Sequence, residues 1–277
     1  MITLSIGILL GCSGRREIRI AGHTMGTTYH VTVIGGYFTS VAKLKQAIGD
    51  RLEAVNASMS TYRPESEISR FNDLQETGRP FPVGEDFYRV ATLSRHLFKI
   101  TGGAWDGTID PLVDLWGFGR SEGRREAPPQ AAIRSRLAQV GFDFIDLSRA
   151  GFLVKRHPEV TLDLASVAKG YGVDAVAELI RKRDFVNFLV EVGGEVFASG
   201  VRLDGRKWRV GINRPEAGAP TNQVYKVVTL KDRAFATSGT YRLFFVQDGK
   251  RYAHVIDPRT GYPVANGVVS VSVTAAS

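Results

Sequence analysis

The segment Thr161-Leu-Asp-Leu-Ala-Ser-Val-Ala-Lys-Gly-Tyr-Gly-Val-Asp174 joins a strand-like run to a helix and places a lysine near the helix start. Leucine and β-branched residues over 160–164 predict the end of a strand, and Ser166 is the expected N-cap of the helix. Lys169 then falls in the first helical turn, where the macrodipole disfavours a cation by roughly 0.3–1 kcal/mol. A bound anion would reverse that sign, because free backbone N–H groups and a lysine together bind phosphate. The segment therefore predicts a phosphate-binding helix start; the alternative is an amphipathic helix with its lysine in solvent.

The rest of this helix follows an ordinary buried pattern. Apolar residues recur at Val173, Val176, Ala177 and Ile180, which is the spacing of one helical face. Just before the helix, Asp163 adds a hard carboxylate oxygen suited to a metal or to the donor groups of a ligand.

Composition limits the class of protein. The chain has 277 residues, 43% of them hydrophobic, which is enough to bury a full core. Its 36 basic and 28 acidic residues give a net charge of +8, a surplus that can favour nucleic acid, an anionic membrane or a phosphate-bearing ligand. The basic residues are spread along the chain and no nucleic-acid-binding motif accompanies them, so we do not expect a nucleic-acid partner.

The amino terminus indicates export. An apolar run over 1–11 precedes Cys12, the only cysteine, so no internal disulfide is possible. This arrangement resembles a bacterial lipoprotein signal, cut before Cys12 and lipidated there, and the run is too short to span a bilayer. We therefore predict a signal segment at 1–11 and one domain at 12–277, anchored to a membrane and facing the periplasm or cell exterior. The alternative is a buried hydrophobic strand with a chance cysteine.

Two amphipathic helices are expected in the first half of the chain. One has its apolar face at Val41, Leu44, Ile48, Leu52 and Val55. The other has apolar residues at helical spacing, ended by a pair of glycines; these residues are Phe87, Val90, Leu93, Leu97 and Ile100, followed by Gly102 and Gly103.

Strands are expected on both sides of Gly26, over 17–34, and throughout the second half of the chain. The later ones are 185–190, 195–201, 208–212, 224–230, 241–246, 252–256 and 268–274, with a hairpin signal at Gln247-Asp-Gly-Lys250. Helices mixed with hairpin-connected strands predict an α+β fold of antiparallel sheets packed with helices. A Rossmann fold is excluded, because no Gly-x-Gly-x-x-Gly follows an early strand.

Five segments combine glycines, carboxylates and hydroxyls beyond what core packing requires. They are 23–29, 59–72, 101–119, 191–195 and 254–263. In the second, Tyr62 could stack on an aromatic ligand, or be a packed core tyrosine. In the last, His254 precedes the turn signal Asp-Pro-x-x-Gly and is the best-placed of the five histidines for proton transfer, although a lone histidine can also be structural.

Together these segments resemble the ApbE-type flavin transferases, which are FAD:protein FMN transferases. The shared motifs occur in order over nearly the whole chain: Met25-Gly-Thr-Thr-Tyr29, Thr61-Tyr62-Arg63 with Ser66-Glu67, Gly102-Gly-Ala-Trp-Asp106, Asp163-Leu-Ala-Ser-Val-Ala-Lys-Gly170, Glu191-Val-Gly-Gly194, Ala236-Thr-Ser-Gly239 and His254-Val-Ile-Asp-Pro-Arg-Thr-Gly-Tyr-Pro263.

The resemblance implies an ApbE-like, T-fold-related architecture and a reaction. FAD is split at its pyrophosphate, FMN is esterified to a threonine hydroxyl of an acceptor protein, and AMP is released. Such phosphoryl transfer calls for a divalent ion, and hard oxygen ligands suit Mg²⁺. The implied partners are FAD and acceptor subunits of membrane redox complexes.

The resemblance also implies site residues. The flavin and adenine ends of FAD would be lined by Met25, Tyr62, Ala104, Trp105 and Asp106. FAD would further contact Asp163, Lys169, His254 and Ile256, with Lys169 and His254 catalytic and His254 the general base. Ser166 would offer its backbone carbonyl to the metal.

The resemblance implies further metal ligands, an Asp and a Thr, beyond residue 277, so we expect the sequence to be a fragment lacking that segment; the alternative is that this protein has lost those ligands. Two other functions stay open at this point. The same site could hydrolyse FAD to FMN and AMP as a pyrophosphatase, or the chain could be a lipoprotein that only binds FAD.

Overall fold

A computed structural model describes residues 14–119, 126–220 and 223–277. The helices are α1 Val41–Met59, α2 Glu67–Asn72, α3 Glu85–Ile100, α4 Asp110–Leu115, α5 Gln130–Leu137 and α6 Ala165–Arg181. The strands are β1 Arg15–Thr24, β2 Thr27–Gly36, β3 Pro80–Pro82, β4 Ile145–Asp146, β5 Phe152–Lys155, β6 Phe188–Val192, β7 Glu195–Ser199, β8 Trp208–Asn213, β9 Val224–Leu230, β10 Arg233–Gly239, β11 Phe244–Gln247, β12 Lys250–Ala253, β13 Ile256–Asp257, β14 Tyr262–Pro263 and β15 Ser270–Ala275.

A six-stranded antiparallel sheet in the order β1-β2-β6-β7-β10-β15 forms the centre. Helices α1 and α6 pack on it, and a first core fills the space between them, with Val33, Ile48, Val176, Ile180 and Phe188 among its members. Among the described residues the remaining strands form smaller sheets of two or three strands each. The predicted α+β class, with antiparallel sheets and packed helices, is confirmed.

A second core lies under α2 and α3 and contains Phe71, Phe87, Phe142 and Leu162. Met25, in the tight turn between β1 and β2, packs against both this core and the first. The turn therefore lies where the two cores meet, and the candidate site opens beside it.

Both helices predicted for the first half are present as α1 and α3. The α1 face is buried as expected, and Gly102 and Gly103 end α3 with φ angles of 58° and 75°. The apolar face of α3 is narrower than predicted, because Leu93 and Ile100 are 45% and 63% exposed. Its buried side is completed instead by Ala91 and Ser94.

The segment before α6 differs from the prediction, because no strand forms over 160–164. The backbone N–H of Leu162 donates to Asn72 Oδ1 at 2.8 Å, and Asn72 Nδ2 donates to the Leu162 carbonyl at 2.9 Å. A side-chain amide thus takes the place of a neighbouring strand. The prediction failed because this partner lies 90 residues away in the chain.

The start of α6 is also displaced from its predicted position. The helix begins at Ala165 with Leu164 as N-cap, and Asp163 Oδ1 accepts a hydrogen bond from the Ala165 N–H at 2.7 Å. Ser166 is therefore inside the first turn, not the N-cap. Lys169 is the fifth helical residue, in the second turn, so the predicted placement in the first turn was wrong.

The predicted strands of the second half are present with small shifts in their bounds, and the Gln247–Lys250 hairpin is confirmed. Asp248 and Gly249 have φ angles of 51° and 73°, as a two-residue hairpin turn with both φ values positive requires. Strand β10 was missed. The predicted signal segment 1–11 and the predicted lipidation site Cys12 lie outside the described residues. Within the described ranges, none of the helices has the length and apolar character needed to cross a membrane.

Candidate active site

A cavity of about 1020 Å³ opens between the β1–β2 turn, α1, the loop after α1 and the start of α6. Met25, Tyr62 and Lys169 of the predicted site line it. The fold thereby brings these three residues, which are far apart in the sequence, to one concave surface. A cleft of this size is the usual form of a small-molecule site.

Met25 adopts an unusual backbone conformation at the cavity wall. Its φ is 50°, in the left-handed region, which costs a residue with a Cβ roughly 1–2 kcal/mol. Gly26 follows at φ 68° and completes the tight turn. Strain of this kind persists only where surrounding packing fixes it, and both cores hold Met25. The turn thus presents Met25 to the cavity in a fixed position.

Tyr62 lies on the cavity rim with its side chain 79% exposed, so it is not a packed core tyrosine. Its loop is held at two points. Ser66 Oγ donates to the Ser60 carbonyl at 2.8 Å, and the guanidinium of Arg63 forms a two-pronged ion pair with Glu53. An aromatic ring presented on an anchored loop is suited to stack on a planar ligand.

The cavity also contains a polar group that sequence reasoning missed. Asn56 is 8% exposed and donates through Nδ2 to Thr24 Oγ1 at 3.0 Å, and both residues line the cavity. The signal was present, since Asn56 follows Leu52 and Val55 on the buried face of α1. A polar residue on an apolar helical face indicates a specific buried partner.

The loop around Trp105 packs beside the start of α6. Trp105 Nε1 donates to Ser166 Oγ at 3.2 Å, and the Asp163 N–H donates to the Gly107 carbonyl at 2.7 Å. Four predicted site residues (Ala104, Trp105, Asp163 and Ser166) are therefore close together. Ala104 and Ser166 are exposed there, and Trp105 and Asp163 are half-buried.

Asp106, in contrast, has its carboxylate turned into the protein. It is 5% exposed; Oδ1 accepts from the Thr108 N–H at 2.8 Å and the Thr108 hydroxyl at 2.7 Å, and Oδ2 accepts from the Phe142 N–H at 3.0 Å. Burial raises the pKa of Asp106, while the hydrogen bonds from Thr108 and Phe142 act in the opposite direction. This carboxylate could therefore reach FAD only by breaking these hydrogen bonds, and the predicted contact of Asp106 with FAD stays a prediction.

His254 lies just after β12, and its neighbours settle its tautomer. Nδ1 is 3.2 Å from the Leu243 carbonyl oxygen, which can only accept a hydrogen bond. Nδ1 therefore carries the proton, and Nε2 of the neutral ring keeps a lone pair. The edge of the ring packs against Phe118, with centroids 6.4 Å apart. Nε2 is thus the ring nitrogen left to accept a proton, and the role of His254 as general base stays a prediction.

Ile256 does not present its side chain to the surface. It is 6% exposed and belongs to a core with Leu112, Trp116 and Phe245. The Ile256 side chain is therefore packed in this core, and the cofactor contact predicted for this residue stays a prediction. The same core joins the His254 region to the segment 101–119, because Trp116 Nε1 donates to the Gly261 carbonyl at 2.8 Å.

A charged network fixes α6 against α1 and α3. Arg51 donates to both oxygens of Asp86 at 2.5 and 2.7 Å, and the Tyr171 hydroxyl donates to Asp86 Oδ1 at 2.5 Å. The hydrogen bond from Arg51 lowers the pKa of Asp86, and burial raises the pKa of Tyr171 to about 12. Because Tyr171 follows Lys169 by two residues, this network fixes the turn of α6 that faces the cavity.

The described residues do not by themselves make up a metal centre. Ser166 follows Asp163 by three residues, but nowhere in the described ranges do three or more His, Cys, Asp or Glu residues form a group that could hold a metal. The donors present near Ser166 therefore do not complete the octahedral oxygen site that Mg²⁺ prefers.

The fold and the cavity define an α+β protein with a ligand cleft beside a strained turn and a helix start. A model of the ApbE family matches residues 25–277. The FAD:protein FMN transferase of Haemophilus influenzae is 40% identical over 265 residues, covering 94% of this chain and 76% of that protein. The one from Vibrio cholerae is 40% identical over 271 residues, covering 97% and 80%. This chain belongs to the ApbE family.

Solved structures agree with this assignment. The flavin transferase ApbE from Vibrio cholerae superposes with a TM-score of 0.84 at 39% identity, covering 95% of this chain and 83% of that one. The ApbE protein of Thermotoga maritima gives a TM-score of 0.79 at 28% identity, covering 95% and 82%. The resemblance inferred from the motifs is confirmed.

Proposed function

We propose that this chain transfers FMN from FAD to a hydroxyl group of an acceptor protein and releases AMP. The observation that carries the proposal is the cavity that brings Met25, the exposed Tyr62 and Lys169 together in a member of the ApbE family. Several of its relatives are named FAD:protein FMN transferase, which supports the same reaction here.

Each residue has a chemical role in this proposal. The Tyr62 ring stacks on a planar ring of FAD, and the ammonium of Lys169 binds the diphosphate. The acceptor oxygen attacks the phosphorus of the FMN half, the P–O bond to the AMP phosphate breaks, and AMP leaves with that bridging oxygen. His254 Nε2 takes the proton of the attacking hydroxyl.

The finer features of the proposal come from the resemblance. The acceptor hydroxyl belongs to a threonine, and the acceptors are subunits of membrane redox complexes. The chain is exported and held at a membrane by a lipid on Cys12. Mg²⁺ is required, with the Ser166 carbonyl as one ligand; because the described residues do not complete its site, the steps above rest on protein groups alone.

The decisive experiment is in-gel flavin fluorescence. A threonine-bearing acceptor domain is incubated with the chain, FAD and Mg²⁺, then denatured and separated on a gel. We expect a fluorescent acceptor band that survives denaturation and is lost when EDTA replaces Mg²⁺. A dark acceptor with free FMN and AMP in solution would indicate FAD hydrolysis, and a dark acceptor with intact FAD would indicate binding alone; both outcomes contradict the proposal.

Replacing Lys169 with methionine should weaken FAD binding by about tenfold or more, since a hydrogen bond to a charged group contributes about 1.5–3 kcal/mol. Fluorescence titration of FAD into each variant measures the dissociation constant. Lys182→Met is the matched control, because Lys182 lies directly after the same helix, is 72% exposed and pairs with Glu178 of the preceding turn at 2.8 Å. Equal affinity of the wild type and Lys169→Met would remove Lys169 from the diphosphate site.

A further inference from the structure

Lys169, which lines the cavity, has a partner within the protein. Its Nζ lies 3.2 Å from Glu195 Oε1, and the two side chains are 35% and 19% exposed. Glu195 is the first residue of β7 and pairs with Val192 across a two-residue turn. The lysine of the α6 start is therefore tied to the turn between β6 and β7.

That turn is built to let the lysine pass. Gly193 has φ 58°, and a Cβ at this position would lie 3.1 Å from Lys169 Cδ and 2.8 Å from Thr27 Cγ2. Any larger residue would displace the lysine stem as well as strain the backbone. Because Gly193 has no side chain, the aliphatic stem of Lys169 can lie across the turn toward Glu195.

The two carboxylates on either side of this turn have different environments. Glu191 stabilises the turn itself: its Oε1 accepts from the Gly194 N–H at 2.6 Å, and its Oε2 lies 2.6 Å from His30 Nδ1. Glu195 Oε2, in contrast, is buried and has no hydrogen-bond partner within the described part of the chain. A buried carboxylate oxygen without a donor is costly, so a structural role does not account for Glu195.

We propose that Glu195 is a positioning residue that holds the Lys169 ammonium at the cavity mouth, ready for the diphosphate of FAD. This inference rests on the proposed FMN transfer. A free lysine side chain samples many rotamers, and ordering it costs conformational entropy. The ion pair places the ammonium before the substrate arrives, so the charge needs no reorganisation during the reaction.

The proposal has a specific kinetic consequence. Glu195→Gln removes a negative charge near the diphosphate, which favours FAD binding, and loosens Lys169, which disfavours it. We therefore expect the FAD dissociation constant to change by less than about threefold, the scale of a partly exposed ion pair. The kcat for AMP release should fall by about tenfold, because misplacing a reacting contact by about 1 Å can cost up to 10²-fold.

The first arm of the test needs no FAD. The ligand-free wild type and Glu195→Gln are acylated with an N-hydroxysuccinimide ester, and modification of individual lysines is followed by peptide mass spectrometry. The ion pair should slow modification, so Lys169 should react several-fold faster in Glu195→Gln, while Lys182 reacts at the same rate in both proteins. Glu178→Gln, the same charge change on the outer face of α6, should leave Lys169 unaffected. Equal Lys169 rates in the wild type and Glu195→Gln would overturn the proposal.

The second arm is a double-mutant cycle on AMP release. In the Lys169→Met background, Glu195→Gln should produce no further loss of kcat, because its effect acts through the lysine. The same fold loss in both backgrounds, or a parallel loss of thermal stability, would show a general structural role and overturn the proposal. A wild type that binds FAD but releases no AMP would instead contradict the proposed function, and the acylation result would still decide whether Glu195 holds Lys169.

Discussion

Replacing His254 with alanine should lower the rate of FMN transfer by about 10²- to 10⁴-fold, the usual contribution of a positioned general base. FAD should remain bound, because the cavity-lining side chains of Met25, Tyr62 and Lys169 are unchanged. The loss of rate is expected because of the tautomer of His254. Its Nδ1–H is directed to the Leu243 carbonyl at 3.2 Å, which leaves Nε2 as the only ring atom able to take a proton.

The measurement is flavin incorporated into the acceptor per unit time, with the FAD dissociation constant determined in parallel. His96→Ala serves as the matched control, because His96 is an exposed histidine of α3 and lies outside the five motif segments. Transfer at the wild-type rate by His254→Ala would remove His254 as the base. Loss of FAD binding in the same variant would instead assign His254 to substrate binding.

The features that the sequence predicted well have local causes. The α1 face and the Gln247–Lys250 hairpin turn each follow from residues a few positions apart. Strand β10 was missed because its residues show no apolar alternation; only Phe235 is well buried. Its strand conformation comes from pairing with β7 and β15, which periodicity cannot show.

The candidate site shows the same division between features that follow from nearby residues and features that depend on distant contacts. The motifs identified Met25, Tyr62 and Lys169, which the fold brings to one cavity. They did not reveal that Asp106 is buried and bonded to Thr108, or that Asn72 holds the segment before α6. Those roles depend on contacts that the fold creates. A carboxylate in a loop looks the same in a sequence whether it is directed toward a ligand or toward the core.

A buried lysine, Lys155, supports the segment before α6 that Asn72 holds. Lys155, on β5, is 1% exposed, and its Nζ donates to the carbonyls of Asn72 at 2.7 Å and Leu74 at 2.9 Å. The cation thereby satisfies carbonyls at the C-terminal end of α2, where the macrodipole favours positive charge. Because the Asn72 side chain in turn holds Leu162, Lys155 stabilises the segment that leads into α6.

Replacing Lys155 with methionine should lower the free energy of unfolding by about 2–4 kcal/mol, since each buried carbonyl left without a partner costs about 1–3 kcal/mol. Methionine keeps most of the side-chain volume, so the loss reports the missing donors and not a cavity. Urea unfolding at pH 7 measures the difference, with Lys207→Met as the control at an exposed lysine. A loss of unfolding free energy smaller than that of Lys207→Met would show that the carbonyls of Asn72 and Leu74 find other partners.

The pH dependence of the free energy of unfolding, measured for the wild type and Lys155→Met, tests directly whether the buried Lys155 is charged. Burial lowers the pKa of Lys155 from 10.5 to about 8. Between these values the unfolded chain binds more protons at this position than the folded one, so wild-type stability rises with pH there, by up to about 1.4 kcal/mol per pH unit. Methionine does not titrate, so the stability difference between the wild type and Lys155→Met should widen as the pH rises from 8 to 10. A difference that stays constant over this range would mean that the carbonyls of Asn72 and Leu74 offset the cost of burying the ammonium, and that Lys155 is charged in the folded protein throughout.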